Sequence, residues 1–359
     1  MIFELLLYVW LILLFALGAV AGSFLNVCIY RLPYEKSVLW PGSRCPQCLQ
    51  AIRWYDNLPL ISFWVLRGRC RVCGAHFTPR YFVIELLTGL AFAGLFYAEV
   101  IANVHRLDAI REDPIRLAFG LVPYQAWLIY FYHVVLFCFL LVASVIDIDH
   151  LEIPMPVTMT GTVVGLIGGA LLWPWVPAVA VPATPPGLVQ FKSGIYAWPV
   201  WHPLPSWLPP DSWRTGLATG LAGIGAGVVI MRGINFLFKM GRGREGIGMG
   251  DADLMMMVGS FLGWQAVVVA TFVAVFPGLV FGIIQLVQRG DRPFPFGPAL
   301  AAGSVLTWLG WQWLNDRFPL QLLFFDATLM LTLAGMCAVG MLLMSFLLRL
   351  LRGRPSDLS

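Results

Sequence analysis

Residues 123–154 read PYQAWLIYFYHVVLFCFLLVASVIDIDHLEIP. From Pro123 to Ile146 there is no Asp, Glu, Lys or Arg, and a run of that length forms a helix able to cross the roughly 30 Å hydrocarbon core of a bilayer. Asp147, Asp149 and Glu152 then arrive together, before Pro154 opens another apolar run. An ionised Asp at membrane depth costs about 2.5 kcal/mol or more, so a carboxylate placed there is a candidate functional group. A second acidic island, GIGMGDADL at 246–254, follows about a hundred residues later. Two such islands suggest one shared centre.

The rest of the chain has the same apolar character. Its 359 residues are 59% hydrophobic and 12% charged, which excludes a soluble globular domain. The expected fold is an all-α polytopic membrane protein. Apolar stretches that can span lie at 5–30, 81–103, 123–146, 155–173, 216–238, 265–287, 298–314 and 325–349. A shorter one at 252–262 makes the total nine if it crosses and eight if it only pairs with a neighbour. The net charge of +4 is small and implies no nucleic-acid partner.

Placement of the cations orients the chain. Arg31, Lys36, Arg44, Arg53, Arg67, Arg69, Arg71 and Arg80 put the loop 31–80 in the cytoplasm, because cytoplasmic loops carry the excess of Lys and Arg. With nine crossings, the loops bearing Arg232, Lys239, Arg242 and Arg244, then Arg289 and Arg292, then Arg349, Arg352 and Arg354, also fall inside. The N-terminus is then outside. The first span ends in small residues at 16–22 that look like a signal-peptide cleavage site, but it has no basic n-region and reads as retained. The stretch 173–215 is rich in Pro and Trp and nearly free of cations, as expected of an extracytoplasmic loop partly at the interface. No internal repeat is evident.

Four of the seven cysteines form a pattern. Cys45-x2-Cys48 and Cys70-x2-Cys73, separated by 21 residues, have the spacing of a zinc ribbon, in which each CysXXCys turn supplies two thiolates to a tetrahedral ion. Thiols in a reducing cytoplasm do not persist as disulfides, which agrees with the side assigned from charge. Four thiolates leave no open coordination position, so the expected zinc is structural. Cys28, Cys138 and Cys337 lie in apolar spans and read as small buried hydrophobes.

By this topology Asp147 and Asp251 lie at the same cytoplasmic boundary. Singly, each has an ordinary reading: Asp251 as a helix N-cap, Asp147 and Asp149 as a solvated loop. Gly246, Gly248 and Gly250 allow the backbone before Asp251 to approach a neighbouring helix or a bound peptide closely. Residues two apart on a helix point about 200° away from each other, so Asp149 and Asp253 cannot face the partner that Asp147 and Asp251 face.

The chain resembles the type IV prepilin peptidases, bifunctional membrane enzymes that cleave prepilin leaders and N-methylate the new N-terminus, within the GlyXGlyAsp class of intramembrane aspartic proteases. The residues that carry the resemblance are GSFLNV at 22–27 with RLP at 31–33, the four cysteines, PRY at 79–81 with ELLTG at 85–89, DIDHLEIP at 147–154, EGIGMGD at 245–251, and PFGP at 295–298. The resemblance implies that Asp147 and Asp251 are the catalytic pair. It implies a division into a first helix (1–30), a cytoplasmic four-Cys domain associated with methylation (31–80), a peptidase core (81–314) and an additional C-terminal helix with a basic tail (325–359). It further implies a bacterial inner-membrane location, a prepilin or pseudopilin substrate, and S-adenosylmethionine as methyl donor with Glu85, Asn26 and Arg80 as methyltransferase candidates. Met155 departs from the Asp or Asn usual after that proline.

Two carboxylates hydrolyse a peptide when one is ionised and takes a proton from water while the other is protonated and polarises the scissile carbonyl. The local helices suggest that Asp147, closing a helix, holds the proton, and that Asp251, opening one, is the base. Asp149, Glu152, Glu245 and Asp253, with Gly248 and Gly250, are expected near the substrate, where the acids would attract a basic leader. His105, His133, His150 and His202 read as scattered. The alternatives are a secondary transporter using Asp147 and Asp251 as cation ligands, which predicts inverted repeats, and an assembly factor built on the zinc ribbon.

Overall fold

Long apolar segments satisfy their backbone hydrogen bonds internally only as helices, and the computed structural model is built of them. It describes residues 2–111, 114–172, 212–243, 248–289, 294–318, 320–325 and 327–351. Glu245 and nearly all of the Pro/Trp-rich stretch 173–215 lie outside the described residues. The chain divides into two compact units, 1–146 and 147–359. Among the described residues there is no strand, only the isolated bridges Arg44 to Ala51 and Arg69 to His76.

In the first unit, α1 (Ile2–Arg31) packs on α3 (Arg80–Phe96), with the short helix α2 (Ile61–Val65) in the connection between them. Gly18 and Gly22 set how closely the two long helices meet. A Cβ on Gly18 would fall 2.7 Å from the Thr88 carbonyl oxygen, and one on Gly22 would fall 2.8 Å from Glu85 Cα. This is small-residue packing of the kind that brings membrane helices together, and it gives the small residues at 16–22 a structural purpose. Past α3 the chain makes a π-helical turn, Tyr97–Ile101, then α4 (Asp108–Arg111) and α5 (Pro114–Ala118), and enters α6 (Tyr124–His150). Tyr130 of α6, fully buried, donates its hydroxyl to the Phe92 carbonyl at 3.0 Å, and Trp127 sits edge-on to Trp10.

The second unit contains α7 (Met155–Leu172), α8 (Trp213–Arg242), α9 (Met249–Leu262), α10 (Trp264–Val273), α11 (Val275–Arg289), α12 (Gly297–Arg317), α13 (Leu320–Phe325) and α14 (Ala327–Leu351). Every residue of α9 from Leu254 to Leu262 is buried, so this helix is enclosed on all sides. Glycines make the enclosure possible. A side chain at Gly223 or Gly227 of α8 would run into the α9 backbone at Gly259 and Met255, and one at Gly165 of α7 would collide with Ser260 and Phe261. α9 is thereby fixed in height and rotation.

Among the described residues, seven helical segments are long and apolar enough to cross a membrane: Leu6–Tyr34, Arg80–Ile101, Tyr124–His150, Met155–Leu172, Trp213–Gly241, Trp264–Val287 and Thr328–Leu347. Their outward faces are apolar and exposed, as at Ile12, Phe276 and Leu331. This is an all-α, multi-pass membrane protein. The expected segments at 252–262 and 298–314 do form helices, α9 and α12, but fall outside that set of seven. α9 rises only about 21 Å over its length, short of a hydrocarbon core. α12 buries Gly303, Ser304 and Thr307 where a lipid-facing span would show larger apolar groups.

Candidate active site

Asp147 lies in the last turn of α6 and is only 6% exposed. Leu151 ends that helix: it adopts φ 56° and its N–H returns to the Asp147 carbonyl at 2.8 Å. The side chain of Asp147 meets the start of another helix. Oδ2 accepts the backbone N–H of Gly297, the first residue of α12, at 2.9 Å. First-turn N–H groups have no partner within their own helix, and the helix dipole there favours an anion. Only glycine fits at 297, because a Cβ would stand 2.6 Å from Oδ2 of Asp147 and 3.1 Å from Ile153 Cδ1.

Asp251 is 7% exposed in the first turn of α9, behind the N-cap Gly248. Gly250 brings that turn against the chain that follows Asp147: a Cβ on Gly250 would be 3.0 Å from Ile153 Cβ and 3.2 Å from its nitrogen. Ile153, itself buried, therefore touches both the glycine beside Asp251 and the glycine that binds Asp147. Asp251 lies outside the seven spans. Burial and, next, the charge of Asp147 push its carboxyl up to about 7. The two carboxylates are thus electrostatically coupled, and their protons belong to the pair.

The neighbouring acids separate as helical geometry requires. Asp253 is half-buried and feels Arg232 of α8, while Asp149 and Glu152 are exposed. The asymmetry expected from local helix ends leaves out a third helix, α12. The N-terminus of α12 supplies Asp147 with an N–H donor that the end of its own helix lacks, while the carboxyl of Asp251 is pushed up. Gly297 was absent from the expected site set, although the PFGP segment that contains it was part of the sequence pattern.

The four cysteines of the first unit come together as the spacing predicts. Their sulfurs all lie within 4.8 Å of one another, with Cys45 to Cys73 at 3.7 Å and Cys48 to Cys70 at 4.0 Å. Thiolates sharing a tetrahedral ion at about 2.3 Å stand about 3.8 Å apart, so the cluster fits such an ion. Its two halves are built alike. Cys45 N–H bonds to Gln50 O at 3.0 Å and Leu49 N–H to Cys45 O at 2.9 Å; Cys70 N–H bonds to Ala75 O at 2.8 Å and Gly74 N–H to Cys70 O at 2.9 Å. Leu49 and Gly74 occupy the matching left-handed position, φ 57° and 71°. Arg71 clamps Asp56 with hydrogen bonds of 2.6 and 2.9 Å, tying the second turn to the loop.

Glu85 lies near the start of α3, where its Oε2 accepts the N–H of Leu60 at 2.8 Å; Leu60 itself has φ 61°. Buried Asn26 donates to the Tyr81 carbonyl at 3.1 Å, and Arg80 begins α3. Glu85 and Asn26 thus join α1, α3 and the cysteine loop within one unit. His105 and His133, which read as scattered, meet around buried Glu99, with His133 Nδ1 2.6 Å and His105 Nε2 3.6 Å from Glu99 Oε1.

Two family descriptions match the chain: the Bacterial Peptidase A24 N-terminal domain over residues 16–99 and the Type IV leader peptidase family over 134–283. The chain is 31% identical to a prepilin leader peptidase/N-methyltransferase of Myxococcus xanthus over 86% of its own length and 74% of that protein. It is 31% identical to one of Pectobacterium carotovorum over 82% and 91%, and 29% identical over 81% and 90% to an Escherichia coli protein named type 4 prepilin-like proteins leader peptide-processing enzyme. No solved structure matches it. Coupled carboxylates at the ends of α6 and α9, a four-cysteine loop joining α1 to α3, and identity of this extent over most of both chains establish that the protein belongs to the prepilin leader peptidase/N-methyltransferase family.

Proposed function

We propose that the protein cleaves the leader of type IV prepilins or pseudopilins with Asp147 and Asp251 and then N-methylates the new N-terminus with S-adenosylmethionine. The observation that carries this reading is the pair itself: two buried carboxylates, coupled in charge, one held by the Gly297 N–H. Asp147, ionised, takes a proton from a water molecule as that water attacks the scissile carbonyl. Asp251, protonated, donates a hydrogen bond to the carbonyl oxygen as charge develops there. Collapse of the tetrahedral intermediate sends the proton to the leaving amine, with no covalent enzyme intermediate.

In this reading the protein resides in the bacterial inner membrane with its N-terminus outside, and the dyad and the loop 31–80 face the cytoplasm. A short basic leader reaches the dyad from that side, drawn by Asp149 and Glu152, and the apolar helix of the substrate stays in the bilayer. Zinc on Cys45, Cys48, Cys70 and Cys73 would hold the loop as a structural ion. Glu85, Asn26 and Arg80 would serve methyl transfer, Glu85 as the group near the incoming amine. No feature of the helices favours the transporter reading.

The test is to incubate the purified protein with a prepilin-like peptide and S-adenosylmethionine and weigh the products. Loss of cleavage in both Asp147→Asn and Asp251→Asn, with folding retained, is expected. Cleavage that survives either substitution removes the assignment.

A further inference from the structure

Glu99, His105 and His133 form a second group of metal-ligating side chains, apart from the cysteines. Each offers one ligand atom, the three atoms lie within 4.8 Å of one another, and all three residues are buried at 0–1% exposure. They sit in one unit but come from three different segments: the π-helical turn Tyr97–Ile101, the loop that follows it, and the body of α6. Glu99 is beyond α3 from Glu85, and 14 positions correspond to about 21 Å along a helix, so this group is remote from the cysteine loop.

We propose that Glu99, His105 and His133 bind a divalent transition-metal ion, zinc being the best match to two imidazoles and one carboxylate. The local backbone is shaped to deliver the ligands. Single π turns are rare and concentrate at functional positions. The loop is closed by Asn103, whose Nδ2 donates to Leu107 O at 3.1 Å and whose Oδ1 accepts Leu107 N–H at 2.7 Å. Asn103 and Arg106, on either side of His105, both take left-handed conformations, φ 47° and 54°. Neither is glycine, so the loop carries local strain to place His105 inward.

An ion pair alone does not account for the group. Glu99 Oε1 and His133 Nδ1, 2.6 Å apart, already make a buried hydrogen bond. His105 adds a second buried imidazole whose Nε2 stands 3.6 Å from Glu99 Oε1 and makes no hydrogen bond. Burying a polar nitrogen in that state is unfavourable, and a metal ion gives it a partner. Ligand atoms on one tetrahedral zinc at about 2.0–2.1 Å lie about 3.3 Å apart. The His105 distance is near that value, and His133 has to move outward by about 0.7 Å as the ion displaces the proton it shares with Glu99. The ion would pin α3, the 102–107 loop and α6 together.

The experiment is metal analysis of the full-length protein in detergent after exposure to Zn²⁺ and removal of unbound ion. Wild type is expected to hold two ions per chain, and His105→Ala and Glu99→Gln one each. Replacing all four cysteines by serine should leave one ion, and adding His105→Ala to that variant should leave none. Cobalt in the variant lacking the four loop cysteines should show weak visible bands without thiolate charge transfer. A single ion in wild type, or no change on His105→Ala and Glu99→Gln, overturns the site. Glu99→Gln keeps the shape of the side chain, so a loss of metal there is not a failure to fold.

Discussion

The backbone N–H of Gly297 reaches across 150 positions of sequence to Oδ2 of Asp147, 2.9 Å away. Asp147 stands at the wrong end of its own helix for a negative charge and at the right end of α12. Pro298, at the second position of α12, has no N–H to lose and fixes the backbone of that first turn. The carboxylate is therefore positioned by a helix that contributes no side chain to the reaction.

Gly297→Ala should disable the dyad without unfolding the protein. The added methyl would stand 2.6 Å from the carboxylate oxygen, so Asp147 must swing away or α12 must shift. Loss of a single positioned donor in a hydrolytic site costs on the order of 10² in rate, and a similar fall in kcat/KM for leader cleavage is expected. Thermal unfolding in detergent should change little. Unimpaired cleavage would show that the Gly297 contact is incidental.

The proton assignment sets the pH dependence. Asp251, pushed up to about 7 by burial and then by the charge of Asp147, keeps its proton below that pH and loses it above. Cleavage should therefore fall as pH rises through about 7, and fall again in acid as Asp147 becomes protonated, giving a bell. The alkaline limb belongs to the pair, and in Asp147→Asn, which does not cleave, the carboxyl of Asp251 followed by infrared difference spectroscopy should titrate lower because the like charge is gone. A cleavage rate that stays flat from about pH 6 to 9 would exclude Asp251 as the acid.

Legibility in the sequence followed the range of the interactions. Each CysXXCys turn is made within eight residues, and its spacing alone foretold a cluster that the structure assembles. Asp147 and Asp251 stood out because isolated carboxylates in apolar sequence are costly. Gly297 did not, since its partner is far away along the chain and the PFGP segment around it does not say what its N–H meets. The expected proton assignment uses only the two helices that carry the aspartates, whereas a third helix, α12, supplies a donor to Asp147. His105 and His133 read as scattered because a π turn and a loop closed by Asn103 leave no periodic trace.

Gly223→Val should weaken the second unit and the site together. No side chain fits at 223, where α8 meets the backbone of Gly259, so α8 and α9 must separate. Overpacking of this kind costs typically about 1–3 kcal/mol, and here the obstacle is main chain that cannot rotate aside. Because α9 carries Asp251 in its first turn, displacement moves one carboxylate relative to the other. A lower unfolding temperature and reduced cleavage are expected together. Gly225→Ala, two positions along with nothing within 4 Å of its Cβ, is the control and should leave both unchanged.

Damage to the cysteine loop should separate the two activities. Asp147, Ile153, Gly250, Asp251 and Gly297 all belong to the second unit, while the cysteines, Glu85 and Asn26 belong to the first. Cys45→Ser removes the most buried of the four sulfurs and should release the metal, unfolding the loop that Leu60 joins to Glu85. Glu85→Gln leaves the metal and the loop in place, since an amide oxygen can still accept the Leu60 N–H, but removes the carboxylate charge. Both variants should reduce methylation of a pre-cleaved peptide by at least tenfold while cleavage stays within about threefold of wild type, with only Cys45→Ser losing zinc. If cleavage falls in step with methylation in Glu85→Gln, the carboxylate of Glu85 serves hydrolysis as well, and the division of labour between the units does not hold.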